Sequence, residues 1–407
     1  MKKILFISYD GMTDPLGQSQ VIAYLEGLRK YGYDISILSF EKKEKLKKLG
    51  EFIGAKLKEA GIHWHPLRFH SSPPIFSKWW DMRLMKKKAS ALHKKENFDL
   101  IHCRSYIAAD IGLDLKRKTG AKLVFDMRGF WADEKADGGR WNKKNFFWNR
   151  VYKYYKKKEK ELITESHHII ALTNAAKREI EGWSYYDKKV PIAVIPCCAD
   201  AILFSLTDEK QKIEARQRIK LSQNSLVLGY LGSVGTWYML DEMLEFFSRL
   251  LQQWPDAIFL FITNSEENSI LEKLSTHRLY KKNIRIINVN YSEVPLYMKA
   301  SDVSISFIRP VYSKKASSPV KIGETMCMGI PLITNDIGDC GEIVKNCNAG
   351  VVTNDFTPSS YDKIISEIKC LQQLDKASIR HKALNYYSLE HGIEKYADVY
   401  NSLLSIG

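Results

Sequence analysis

A lysine and a glutamate three residues apart, Lys321 and Glu324, stand in the segment SSPVKIGETMCMGIPLITN at 317–335. Ser318 is a good N-cap and Pro319 suits the first helical position. The spacing therefore predicts a helix from there to a stop at Gly329, followed by a buried strand over 331–334. The N–H groups at a helix start attract phosphate, and Lys321 adds a full positive charge in the first turn. Ser317 and Ser318 form the mouth of that helix. Glu324, one turn deeper on roughly the same face, is placed to accept from vicinal hydroxyls such as those of a ribose. A plain surface helix with an i,i+3 Lys–Glu pair fits the same spacing, so the residues alone leave both readings open.

Other candidates sit in loops that follow strand-like runs. Gly17, closing DGMTDPLG, would let backbone approach a phosphate or sugar, or simply mark a turn before a helix. Gly232, Ser233, Gly235 and Thr236 form a second glycine loop whose N–H groups could face phosphate. Tyr291 could stack on a base or pack in a core. His102 and Arg104 end one strand, and Arg128 follows the next. Arginine cannot serve as a base at neutral pH; it could hold an anionic or hydroxyl-rich group, or pair with Asp126. Thr173 and Asn174 follow a further strand and could cap a helix.

Apolar runs of strand length alternate with helical patterns from end to end, which predicts an α/β chain with parallel sheets. Strands are expected near 3–8, 34–40, 62–67, 99–103, 121–126, 168–172 and 191–195. A second set is expected near 226–231, 257–262, 284–288, 303–307, 331–334 and 349–352. The 407 residues favour two domains, 1–196 and 197–387, with an amphipathic helix at 388–405. No apolar run reaches the length of a membrane span, and MKKILFISYD reads as a first strand rather than a leader. Seven cysteines without regular spacing suggest free thiols in a reducing compartment, hence a cytoplasmic location.

The net charge of +15 is confined to residues 1–200, where 39 Lys and Arg face 24 Asp and Glu. That half should meet something anionic. Two stretches interleave lysines with aromatics, 75–95 and 140–163. The second carries nine Lys and Arg against one Glu between 140 and 160. Each could lie on an anionic membrane surface, or bury its aromatic side and solvate its basic one.

The segment 317–335 resembles the donor-site helix of the retaining family 4 glycosyltransferases, S-P-x-K-x-x-E-x-x-x-x-G-x-P. ILFISYDGMTDPLGQSQ, LVFDMRGFWADE, VIPCCADAILF, LGYLGSVGTW and YMKASDVSISF follow the same family's order, so the resemblance spans nearly the whole chain. It implies a GT-B fold, two doubly wound Rossmann-like domains facing across a cleft, with the last helix (388–407) crossing back to the first domain. It also implies sugar transfer from a nucleotide diphosphate sugar (UDP- or GDP-linked) to a lipid-linked or polysaccharide acceptor of the cell envelope, such as lipopolysaccharide. Lys321, Glu324 and Arg128 would carry the chemistry. Gly17, Gly232, Ser233, Gly235, Thr236, Tyr291, Ser317 and Ser318 would join Lys321 and Glu324 in holding the donor. In such enzymes the donor phosphate takes the acceptor proton, so no protein base is needed.

Two departures stand out. The family's E-x7-E places its first glutamate at Ala316, and many members have histidine where Arg128 stands. No D-x-D triplet is present, consistent with a site that holds diphosphate without a metal or other cofactor. The expected location is peripheral, at the inner face of the membrane, with no nucleic acid as partner. Two other classes share parts of the pattern: a sugar-nucleotide epimerase of the same fold, and a polyanion-binding protein with a degenerate cleft.

Overall fold

The computed structural model describes residues 1–404. The chain divides into two compact units. One comprises Met1–Pro196, Lys315–Ser317 and the C-terminal segment from Leu389; the other comprises Cys197–Lys314 and Ser318–Ser388. The sequence boundaries, 1–196 with 388–407 and 197–387, differ at Lys315–Ser317 and at Ser388.

The first unit holds seven strands: β1 (Lys3–Ser8), β2 (Asp34–Glu41), β3 (His63–Arg68), β4 (Leu100–Arg104), β5 (Lys122–Asp126), β6 (His168–Ala171) and β7 (Ile192–Val194). They form one parallel sheet in the order β3-β2-β1-β4-β5-β6-β7. The last helix, Leu389–Leu404, belongs to this unit, where Tyr33 Oη donates to Asn401 Oδ1 at 2.6 Å.

The second unit holds β8 (Val227–Leu231), β9 (Ile258–Ile262), β10 (Ile284–Ile287), β11 (Val303–Ser306), β12 (Leu332–Thr334) and β13 (Gly350–Val352). Its parallel order is β10-β9-β8-β11-β12-β13. Along β8, Leu228 and Tyr230 enter one apolar cluster while Val227 and Leu231 enter another; β9 alternates likewise. Both sheet faces are thus covered by helices, which explains strands that read as unbroken apolar runs. All thirteen expected strands are present, with ends within one residue of those read from the sequence.

In each sheet the strand order reverses once, between β1 and β4 and between β8 and β11. In each sheet, loops leaving the carboxyl ends of its two strands border that sheet's own switch-point crevice, where doubly wound sheets take ligands. They carry Asp10–Gly17, Arg104–Ser105, Gly232–Trp237 and the segment from Phe307 to Lys314. No described helix is long and apolar enough to cross a membrane.

Candidate functional site

The helix that carries Lys321 and Glu324 is Val320–Cys327, and every residue from Lys321 to Cys327 is buried. It starts one residue later than the sequence suggests. Pro319, in extended conformation, is the N-cap; the Ser318 hydroxyl instead accepts from the Cys197 N–H at 3.2 Å. Ser318 therefore ties the chain crossing into the second unit rather than capping the helix. Ser317 belongs to the first unit. At the far end Gly329 takes φ +70°, and a Cβ there would strike the Lys376 carbonyl, so only glycine closes this helix without strain.

A surface ion pair is ruled out by this burial, and the two side chains go to different partners. Lys321 Nζ donates to Tyr230 Oη at 3.0 Å and lies 3.5 Å from the centroid of the Tyr238 ring. Tyr230 Oη in turn donates to the Ser233 carbonyl at 2.5 Å. A lysine on one helix is thereby wired to the glycine loop after β8. Gly232 makes room for it: its φ is +102°, and a Cβ there would stand 2.8 Å from Lys321 Cε and Nζ. Burial drives the Lys321 ammonium well below its usual pKa, against the attraction of Glu324. Glu324 accepts from Tyr291 Oη at 2.6 Å. Burial raises its pKa to about 7, although Tyr291 and Lys321 both pull it down. Burial thus pushes both groups toward their neutral forms, the kind of perturbation that clusters at functional sites.

In the glycine loop, the Gly232 N–H is taken by the Ile262 carbonyl and the Val234 N–H by the Ser265 hydroxyl. Ser233, Gly235 and Thr236 remain as loop N–H donors, with Gly235 at φ +92° and Thr236 at φ +40°. A non-glycine residue in that region marks strain of the kind found at ligand clamps. Beside them opens a cavity of about 410 Å³, lined by Val234, Gly235, Thr236, Tyr238, Asp241 and Arg309 among others. The loop has no basic residue of its own, yet Lys314 Nζ, from the segment after β11, sits 3.9 Å from the Trp237 ring centroid. Tyr291 is half-buried, its ring 5.6 Å from Phe204 and its hydroxyl on Glu324, so its main observed role is to hold that carboxylate. Exchanging Gly232 for alanine should push Lys321 off Tyr230. We expect about 1–3 kcal/mol to be lost in denaturant unfolding.

In the first unit, Asp126 at the end of β5 gathers several partners. Arg128 Nη1 lies 3.8 Å away, His102 Nε2 3.6 Å, Arg104 Nη1 4.0 Å, and Tyr396 Oη donates to it at 3.1 Å. Burial opposes the charge, but Arg128, His102 and Arg104 outweigh it and keep the carboxyl below its usual pKa. Burial lowers the His102 pKa as well, toward the neutral imidazole and against the pull of Asp126. Arg128 adopts φ +57° and Ser105, just after Arg104, φ +67°. These are strained backbones at two adjacent strand ends. The structural pairing of Arg128 with Asp126 is thus present, with the guanidinium still 11% exposed.

Gly17 has a reason that needs no ligand: it is helical, and a Cβ there would lie 2.1 Å from the Gly11 carbonyl of its own loop. That loop is held by buried Glu41, which accepts from the N–H groups of Met12 and Thr13 and from the Thr13 hydroxyl. Ala316 packs in the apolar cluster of the first unit. Thr173 caps the helix Asn174–Glu181 and donates to the Lys315 carbonyl. Sequence reasoning missed Tyr230, Lys314 and Glu41. Tyr230 lies in the apolar run that ends at the glycine loop, and that was its available signal; Glu41 and Lys314 had none.

The two lysine-aromatic stretches form the helices Pro74–Glu96 and Phe146–Glu165. Their aromatics divide. Trp141 is buried and Tyr155 packs on Trp131 and Trp141, whereas Phe76, Trp79, Trp80, Phe146 and Phe147 stand exposed. Tyr155 thus faces inward while Phe147, on the same helix, faces solvent. All seven cysteines are free, and no described cluster of His, Cys, Asp and Glu could hold a metal ion.

Residues 17–201 match the family described as Glycosyltransferase Family 4, and residues 211–383 match Glycosyl transferases group 1. YtcC of Bacillus subtilis (strain 168), provisionally named a glycosyltransferase, is 27% identical over 172 residues. The match covers 39% of this chain and 40% of that relative's length. Sucrose-phosphate synthase (tll1590) from Thermosynechococcus elongatus superposes with TM-score 0.74 at 14% identity, covering 100% of both chains. Anabaena Alr3699/HepE, solved in complex with UDP-glucose, gives TM-score 0.71 at 16% identity, covering 99% of this chain and 100% of that one.

Proposed function

This chain belongs to the family 4 glycosyltransferases of GT-B fold, and on that premise we propose that it transfers a sugar from a UDP- or GDP-sugar to a lipid-linked or polysaccharide hydroxyl, with retention at the anomeric carbon. One observation carries the reading: a buried lysine and a buried carboxylate on one helix, the lysine wired through Tyr230 to a glycine loop. Lys321 and the loop N–H groups face the diphosphate, and Glu324 takes the ribose hydroxyls. As the bond from the anomeric carbon to the diphosphate oxygen breaks, negative charge gathers on the departing phosphate. Lys321 stabilises it in a site dry enough for the effect to be large. The acceptor oxygen bonds to the same carbon, and its proton passes to the leaving phosphate. Arg128 and Arg104, at strand ends of the first unit, are assigned to anionic or hydroxyl groups of the substrates.

Lysine and helix start replace a divalent ion, so chelator leaves turnover unchanged. The HepE complex with UDP-glucose makes UDP the first donor nucleotide to test. Calorimetric titration with UDP, GDP, ADP and CMP should give selective binding of one diphosphate; binding of none would overturn the assignment.

The acceptor belongs to the cell envelope, and the enzyme works at the inner membrane face. The exposed Phe76, Trp79, Trp80, Phe146 and Phe147 beside lysines support this. Changing Trp79 and Trp80 to serine should cut sedimentation with phosphatidylglycerol vesicles several-fold and leave nucleotide affinity alone. Equal sedimentation would remove the membrane role.

A further inference from the structure

Lys78 and Lys135 converge on one indole. Their ammonium nitrogens lie 5.1 and 5.4 Å from the centroid of the Trp131 ring. Lys78 is also 6.0 Å from the centroid of Tyr155. Trp131 is fixed in turn by Tyr106, stacked at 5.9 Å, and by Trp141 and Tyr155, edge-on at 5.2 and 4.8 Å. Both lysines are half-buried, and neither has an ion-pair partner among the described residues. Some other lysines on the long helices do meet carboxylates: Lys86 pairs with Asp114, Lys156 with Asp133, and Lys158 with Asp110. The Lys135 charge lowers the Lys78 pKa, so the two ammoniums repel each other; Glu134 and Asp10 attract Lys135, yet its pKa stays lowered.

We propose that Lys78, Lys135 and Trp131 form a subsite for a phosphoryl group on the acceptor, with Trp131 offering an apolar face to the part that carries it. A phosphate monoester or diester is matched by two point-charge ammoniums, whereas planar carboxylate recognition calls for an arginine fork. The cation–π contacts hold both charges in place before the ligand arrives. Burial and then the neighbouring Lys135 charge bring Lys78 down to about 8, a deficit that an incoming dianion would reverse. Burial and then Arg140 lower Lys135 in the same way. The subsite rests on the glycosyltransferase reading for its meaning, since it names the acceptor as phosphorylated, yet its anion chemistry can be tested alone.

The probe is inorganic phosphate, titrated calorimetrically into the full chain carrying Lys321→Ala, which removes the donor-side cation. Binding is expected, and adding Lys78→Met or Lys135→Met should weaken it at least 10-fold; Lys78→Arg should keep it within about threefold. Unchanged affinity in both methionine variants would overturn the proposal. UDP binding to Lys78→Met with Lys321 intact should match that of the unaltered chain. Failure of UDP to bind any variant would strike the donor reading and leave the phosphate result standing. Vesicles containing phosphatidic acid, against phosphatidylcholine alone, separate the sources. Loss of vesicle binding in Lys78→Met places a lipid phosphate in the subsite, and loss of free phosphate alone places a soluble one there. A Lys78→Met chain that melts lower yet binds phosphate normally would also count against the subsite.

Discussion

Lys321→Met should lower kcat/KM by about a thousandfold while raising the melting temperature. The two effects share one cause. The ammonium lies between Tyr230 and Tyr238 with its pKa driven well down by burial. In the ligand-free protein burial opposes the charged form of this lysine, and Glu324 favours it only in part. A methionine fills nearly the same space, contacts the rings favourably, and leaves no charge to bury. Tyr230 keeps its bond to the Ser233 carbonyl. We expect about 1 kcal/mol of added stability. Function moves the other way, because a preorganised donor facing developing charge is worth about 10²–10³ in rate, with some further loss in binding. UDP calorimetry and thermal unfolding on the same preparation check both halves. A lower melting temperature with weaker binding would make the lysine a structural group; undiminished turnover would remove it from the site.

Most strands were legible because they are apolar on both faces, as in β1 (KILFIS) and β9 (IFLFI), and because turn residues separate them. The lysine and glutamate of the Val320–Cys327 helix were legible as a pair, but their surroundings were not. Periodicity cannot say that Lys321 reaches Tyr230, 91 residues away, or that Glu324 meets Tyr291. Spacing also misplaced the helix cap. Ser318 has the right chemistry for one, yet the Cys197 N–H, distant in sequence, claims its hydroxyl. Gly17 shows the opposite limit: a glycine before a helix suggests ligand approach, and here the loop's own carbonyl explains it. The basic first half read as a single charged surface. Packing resolves it into paired lysines, exposed aromatics, and the two unpaired ammoniums over Trp131.

Glu324→Gln should remove a pH dependence that the native chain shows near neutrality. Burial raises the Glu324 pKa to about 7, so the carboxyl is protonated in mild acid and ionised above that point. Only the ionised form offers both oxygens to vicinal hydroxyls, so UDP affinity attributable to this residue should climb as pH rises from 6 to 8. In Glu324→Gln that climb disappears and affinity at pH 8 falls about 10-fold or more. Tyr291→Phe removes the hydrogen bond that favours the ionised form, so the midpoint should move to higher pH. Stability runs in the opposite sense. A carboxyl whose folded pKa lies above its unfolded value of 4.5 favours the fold while protonated, and that contribution is lost as pH rises through about 7. Glu324→Gln should therefore gain on the native chain between pH 5 and 8, by an amount on the order of 1–3 kcal/mol. Because Glu324 and Lys321 act on each other's charge, the difference between variant and native chain reports the pair, with Lys321 lowered further once the carboxylate is gone. A flat affinity profile in the native chain, or a midpoint unmoved in Tyr291→Phe, would mean that Glu324 meets no ligand hydroxyl.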